Sequence, residues 1–383
     1  MLGDLYLIKK VGAQCIMANA LRVIIAGGGT GGHLFPALAI GEEIKSRHHD
    51  AKVHFVGSTF GLEAKVFPVK GVWHTLVPIR GLQRDISFRS VGRNILLPGR
   101  IIQSMIKIKS LIREFSPQIV VGTGGYASAL PLYVASGEKE PIPILLQEQN
   151  SFPGITTRWF AKKAKAICVA FQDSVDLLKA DSVITGNPVR AGISDGNKES
   201  ALKTFSLQED KKTVFLFGGS QGSAYLNQQM SQTVESLIES GIQVLWQTGD
   251  VAYDSYKQFD SESVRVLPFI NDMAGAYALA DLVISRSGAL ALAEITVCHK
   301  PSILIPFLGA AGDHQTKNAQ SMVNSGASQI LFEKSLSQGD FTRTILGLIN
   351  NQDQLNQMGK AAGGLGKPNA TSDIVDNILE ITK

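Results

Sequence analysis

Charge is scarce in this chain, and so are cysteine and long apolar runs. Only 18% of the 383 residues are Asp, Glu, Lys or Arg, while 44% are hydrophobic. An ordinary soluble domain carries roughly 25% charge, so a highly charged disordered chain is excluded. No apolar run reaches the roughly 18 residues of a membrane span. The three cysteines, Cys15, Cys168 and Cys298, are odd in number, scattered and without CxxC spacing. That argues against a disulfide framework or a zinc site and fits a reducing compartment. Neither an Asp-x-Asp pair nor a GxxxxGK[ST] string occurs. A carboxylate clamp for a metal-bound diphosphate and P-loop chemistry are therefore not expected. Glycine is plentiful at 38 residues, but it lacks the three-residue period of collagen.

The net charge of +4 is unevenly spread. Residues 80–114 hold eight cations (Arg80, Arg84, Arg89, Arg93, Arg100, Lys107, Lys109 and Arg113) against Asp85 and Glu114, leaving −2 for everything else. Apolar residues such as Ile101, Ile102 and Ile106 are interleaved with them. A solvated helix face would read this way, and so would a surface for an anionic partner. Nucleic acid is the poorer partner, since no base-reading motif accompanies the cations.

Short runs rich in Val, Ile and Leu alternate with helix-length segments. Strands are expected at residues 21–26, 53–56, 119–121, 144–146, 166–169 and 183–185. A second set is expected at 213–217, 243–246, 264–267, 282–285, 302–305 and 329–332. Runs without polar alternation indicate strands covered on both faces, hence parallel sheets. The fold class is therefore α/β, with two Rossmann-like doubly wound domains facing one cleft. GNPVR (186–190) punctuates the chain between them. The expected division is a tail at 1–20, with Met17 as an alternative start, then domains at 21–187 and 188–365. A C-terminal helix at 366–383 is free to pack on either.

GGGTGG (27–32) has G-x-G-x-x-G spacing directly after a strand, where glycine lets backbone N–H groups approach a phosphate. A dinucleotide enzyme places an acid near the end of the second strand; here that strand runs into Val56-Gly57-Ser58-Thr59, which weakens an NAD(P)-oxidoreductase reading. GTGGYASALP (122–131), GGSQG (218–222) and SRSGALALAEI (285–295) are further strand-to-helix turns. One such turn is explained by tight packing. Four at the carboxyl ends of strands point to ligand binding.

Together GGGTGGHLFPALAI, GTGGYAS, LLQEQNSFPG, TGNPVR, FGGSQGS, FINDMAGAYALADLVISRSGALALAEI and DHQTKNA resemble the MurG family of bacterial peptidoglycan N-acetylglucosaminyltransferases over about residues 21–330. The resemblance implies the GT-B architecture and an inverting enzyme. Its donor is UDP-N-acetylglucosamine, held mainly by the C-terminal domain. Its acceptor is lipid I, an undecaprenyl-diphosphate-linked N-acetylmuramoyl-pentapeptide, converted to lipid II. It further implies no metal cofactor, and attachment to an anionic membrane surface at the cytoplasmic face of the inner membrane. By motif position the donor residues are Thr30, Gly31, Gly32, Asn150, Arg190, Ser220, Ile270, Ala289, Leu290, Ala291, Leu292, Ala293, Glu294 and Gln315. Ile270 would flank uracil through its backbone, Glu294 would accept from ribose hydroxyls and Gln315 would bond the sugar. Gly124, Gly125 and Tyr126 would face the acceptor. His33 is the candidate base, with phosphate binding or helix capping as its alternative role. Arg190 and the helix starts after GGSQG and SRSG would bear the diphosphate. A related GT-B enzyme acting on another lipid or UDP-sugar is the alternative within the fold.

Overall fold

The computed structural model describes residues 20–79 and 97–383. The tail at 1–19, Cys15 and the first four cations of the basic window (Arg80, Arg84, Arg89 and Arg93) lie outside the described residues. The N-terminal half runs β1 (Arg22–Ala26), α1 (Gly31–Arg47), β2 (Lys52–Ser58), α2 (Glu63–Lys70), β3 (His74–Val77), α3 (Leu97–Phe115) and β4 (Ile119–Gly122). It continues α4 (Tyr126–Gly137), β5 (Ile144–Glu148), α5 (Ile155–Phe160), β6 (Ala166–Val169), α6 (Gln172–Leu178) and β7 (Ser182–Ile184). The C-terminal half runs α7 (Lys198–Phe205), β8 (Thr213–Phe217), α8 (Ala224–Ser231), α9 (Val234–Glu239), β9 (Gln243–Gln247), α10 (Tyr253–Tyr256), β10 (Val264–Leu267) and α11 (Met273–Leu279). It ends β11 (Leu282–Ser285), α12 (Ala289–Val297), β12 (Ser302–Leu304), α13 (His314–Asn324), β13 (Ser328–Ile330), α14 (Gln338–Ile349), α15 (Gln352–Leu365) and α16 (Ala370–Ile381).

Both sheets are parallel, in the orders β3-β2-β1-β4-β5-β6-β7 and β10-β9-β8-β11-β12-β13. Their central strands are buried on both sides: Val23 and Ile25 face one apolar layer of the first sheet, Ile24 and Val120 the other. This is why the sequence shows continuous apolar runs there. β3 is the exception missing from the expected strands. It is an edge strand, its first three residues half-exposed, and His74 and Thr75 interrupt its apolar pattern.

Strand order reverses between β1 and β4 and again between β8 and β11. Ala26 lies level with Gly122, and Ser285 with Phe217. All four glycine turns therefore leave the sheets at the two switch points, where open α/β sheets bind ligands. The last helix returns to the first domain: Ile374, Val375 and Ile378 of α16 are fully buried in the cluster that holds Leu34, Ile40 and Ile44 of α1. Each such side chain contributes about 1.5–3 kcal/mol of apolar burial. Arg47 adds a 2.6 Å ion pair to Asp376, of small worth because the carboxylate is exposed. Among the described residues no helix is long and apolar enough to cross a membrane.

Candidate active site

The first domain contributes a histidine on a scaffold of glycine turns. Gly125, at φ +77°, has no room for a Cβ, which would sit 2.2 Å from the Gly28 carbonyl oxygen. The two turns are thereby pressed together, with the His33 ring against Gly124. His33 Nδ1 lies 3.0 Å from the Thr123 carbonyl and 2.8 Å from Gln149 Oε1. A carbonyl only accepts, so Nδ1 carries the proton and Nε2 is left with the lone pair. Gln149 is fixed by donating to Thr123 O at 2.8 Å and to Gln147 O at 3.1 Å. Gln147 donates to Asn187 at 3.0 Å, and Asn187 donates to the Gln149 and Ala289 carbonyls at 2.9 and 3.4 Å. A continuous hydrogen-bonded chain thus runs from His33 to the first residue of α12 in the other domain.

No acid stands at the end of β2, but the first residue of α2 is one, and it is turned inward. Glu63 is fully buried and accepts from Gly29 N at 2.8 Å and Ser58 N at 2.7 Å. One of the N–H groups that a dinucleotide phosphate would need is therefore already taken by a carboxylate. Glu63→Gln replaces one acceptor oxygen by a donor that faces an N–H. It should cost about 1–3 kcal/mol, seen as a lower thermal melting temperature.

In the second domain two helix starts behave differently. Ser223 already caps α8, accepting from Leu226 N at 3.4 Å, and it also receives Arg286 Nε at 3.1 Å. Gly222, at φ +75°, lies where a Cβ would be 1.9 Å from the Thr248 carbonyl oxygen, so the GGSQG turn is tightly seated. By contrast α12 begins at Gly288 with no side-chain cap. Its first-turn N–H groups, from Ala289, Leu290 and Ala291, carry the positive end of the helix dipole toward the switch point. Leu292 N bonds Gly288 O at 3.0 Å, and its side chain, 1% exposed, packs in the core. Ala293 lies one residue further into the same helix.

Arg190 and Glu294, expected to serve different parts of a donor, contact one another at 3.3 Å. Burial pushes the Glu294 carboxyl up, opposed by the Arg190 charge and the Tyr277 hydroxyl. Ile270 N donates to Gln247 Oε1 at 2.9 Å, leaving its carbonyl as the free backbone group. Gln315 Oε1 is taken by Phe307 N at 2.9 Å, so its amide N–H groups remain for a ligand. Ser220 is exposed in its turn, as are Thr30 and Tyr126, while Gly31, Gly32, Gly124 and Gly125 are half-buried.

Asn150 bridges the domains. It donates to Glu148 at 3.3 Å and accepts from Asn318 at 3.2 Å, while Ser151 N and Oγ donate to Asn318 at 2.8 and 3.0 Å. Glu148 organises the following loop by accepting from Gly154 N and Thr157 Oγ1 at 2.9 and 2.6 Å. His314 was not singled out from the sequence. Among the described residues its buried Nδ1 has no hydrogen-bond partner. Burial holds its imidazole below the usual range, with Glu148 opposing and His33 and Lys317 reinforcing. The His314 ring lies 6.4 Å from that of Phe152. Glu63, Gln147, Gln149 and Asn318 were likewise unmarked; Gln147 and Gln149 lie within QEQN and Asn318 within DHQTKNA, while Glu63 had no sequence signal. Among the described residues no group of three or more His, Cys, Asp or Glu is placed to hold a metal ion.

Residues 23–169 match the model of the glycosyltransferase family 28 N-terminal domain, and residues 213–378 that of its C-terminal domain. The chain is 39% identical over 373 residues to a UDP-N-acetylglucosamine–N-acetylmuramyl-(pentapeptide) pyrophosphoryl-undecaprenol N-acetylglucosamine transferase of Christiangramia forsetii, covering 95% of this chain and 99% of the relative. A protein of the same name from Flavobacterium psychrophilum is 39% identical over 366 residues, with coverage of 94% and 98%. The crystal structure of Acinetobacter baumannii MurG matches with a TM-score of 0.77 at 26% identity, over 94% of this chain and 99% of that one.

Proposed function

The chain belongs to the MurG family within glycosyltransferase family 28, and we propose that its interdomain cleft holds the sugar donor against the start of α12. The reaction is transfer of N-acetylglucosamine from UDP-N-acetylglucosamine to lipid I, giving lipid II. The observation that carries the site reading is the uncapped start of α12, beside Arg190 and Glu294 and linked to His33 across the cleft.

In this reading uracil lies against the Ile270 backbone, the ribose hydroxyls donate to Glu294, and Gln315 meets the sugar. Arg190 swings from Glu294 to the diphosphate, joined by the N–H groups of Ala289, Leu290 and Ala291. α8 has less to offer, because Ser223 already caps it. The acceptor hydroxyl approaches beside Gly124, Gly125 and Tyr126 and gives its proton to His33 Nε2. Its oxygen bonds the anomeric carbon as the bond to the diphosphate breaks on the opposite face, which inverts the centre. Protein groups alone neutralise the departing UDP. A helix dipole supplies about 0.3–1 kcal/mol at an exposed site and up to about 2 when partly buried. Positioning of the two substrates must therefore supply much of the rest. Transfer of labelled sugar from UDP-N-acetylglucosamine to a lipid I analogue tests the activity; no transfer, with the donor bound, would refute it.

The membrane reading has its own support. α3 exposes Ile101, Ile102 and Ile106 beside the exposed cations Lys109 and Arg113. Lys107 is engaged with the Leu76 carbonyl at 2.9 Å, and Arg100 lies 5.2 Å over the Phe60 ring. Tyr133 of α4 and Trp159 of α5 are also exposed, at 56% and 71%. A surface that pairs cations with apolar side chains suits an anionic bilayer, each nearby Lys or Arg adding about 1 kcal/mol. Cosedimentation with phosphatidylserine-containing vesicles should fall as salt is raised. Binding indifferent to salt would contradict the electrostatic part of this reading.

A further inference from the structure

We propose that Tyr277 is a positioning residue for the donor, its hydroxyl holding the Glu294 carboxylate on the ribose while Arg190 serves the diphosphate. The inference rests on the donor reading above. Tyr277 belongs to α11 and is fully buried, its ring packed edge-on against Phe215 and Phe217 at 5.7 and 6.1 Å. The hydroxyl donates to Glu294 Oε2 at 3.3 Å, while Arg190 Nε reaches Oε1 at 3.3 Å. Glu294 is only 8% exposed. A carboxylate so placed is costly unless its oxygens are satisfied.

The two partners are not equivalent. Arg190 lies in the chain segment between the domains, with half its side chain exposed, and is free to turn. Tyr277 is wedged in the core and is not. When Arg190 moves to the diphosphate, the hydroxyl of Tyr277 is the protein group left on Glu294, and the ribose hydroxyls take the vacated oxygen. Cys298, the residue after α12, adds no repelling negative charge, since burial pushes its thiol up to about 12. Burial likewise keeps Tyr277 a neutral phenol, able to donate. Of the groups facing Glu294, Arg190 and Tyr277 hold its proton off and burial works against them. Loss of the hydroxyl therefore shifts Glu294 toward the protonated acid.

Tyr277→Phe keeps the ring and its packing. In steady-state transfer assays with saturating acceptor, the KM for UDP-N-acetylglucosamine should rise roughly tenfold, with kcat changed by less than about twofold. The acidic limb of kcat/KM for the donor should move to higher pH. A donor analogue with 2′,3′-dideoxyribose should bind the wild type less well than UDP-N-acetylglucosamine and bind the variant with little further loss. In a Glu294→Gln background the substitution should add nothing. An unshifted pH limb with intact ribose preference would overturn the proposal, and so would a KM increase shared by both donors or persisting beside Glu294→Gln, which marks loss of packing alone. A wild type that does not distinguish the two donors would overturn the ribose reading of Glu294 and this proposal with it.

Discussion

His33→Ala should lower turnover by roughly 10²–10⁴ and leave the donor KM nearly unchanged. The ring is fixed through one nitrogen, held at 3.0 Å from the Thr123 carbonyl, so the other is the nitrogen that can take a proton. Glycine at 124 leaves room for the ring, since a Cβ there would come within 2.8 Å of Nδ1. Gln149 backs the ring at 2.8 Å and is itself immobilised by Gln147 and Thr123. The imidazole reaches the start of α12 only through Gln149, Gln147 and Asn187 and is not itself assigned to the nucleotide, so the loss should fall on kcat. If His33 only capped α1 or bound a phosphate, the substitution would change stability or the acceptor constant and leave turnover standing. Intact turnover would remove it from the role of base.

Arg190→Ala should lower kcat/KM for the donor by roughly 10²–10³, the range found when one preorganised donor to developing charge is removed. Two losses combine. The diphosphate loses the cation proposed to meet it, and Glu294, 8% exposed, loses its countercharge. Arg190→Lys should recover only part of the activity, because an ammonium cannot reproduce the planar guanidinium fork. Activity equal to wild type in Arg190→Ala would leave α12 alone to carry the diphosphate and would contradict the account of the leaving group. The acceptor constant should move little in either variant.

The architecture was legible because both sheets are covered on two faces, which writes them as uninterrupted apolar runs. The same reasoning missed β3, whose edge position allows His74 and Thr75 into it. Turn chemistry was legible as well, since glycine at Gly125 and Gly222 is required by backbone contacts that no side chain tolerates. What the sequence could not show is pairing over distance. Glu63 reads as an ordinary acid at the start of a helix, and only the fold reveals its bonds to Gly29 and Ser58. Arg190 and Glu294 each match a motif, but their contact joins residues 104 apart. The cap on α8 was hidden too: Ser223 follows GGSQG openly in the sequence, yet its hydroxyl could as well have faced solvent. Asn318 lies outside every glycine turn, and its role appears only when the two lobes are brought together at Asn150 and Ser151.

The claim that the nucleotide sugar is clasped at the start of α12 is tested most directly by a crystal structure of the complex with UDP-N-acetylglucosamine. The account predicts uracil beside Ile270, ribose oxygens on Glu294, and the diphosphate at Ala289–Ala291 with the Arg190–Glu294 pair opened from its 3.3 Å contact. Sugar nucleotide seated outside the cleft, or bound with the Arg190–Glu294 pair still closed, would contradict it.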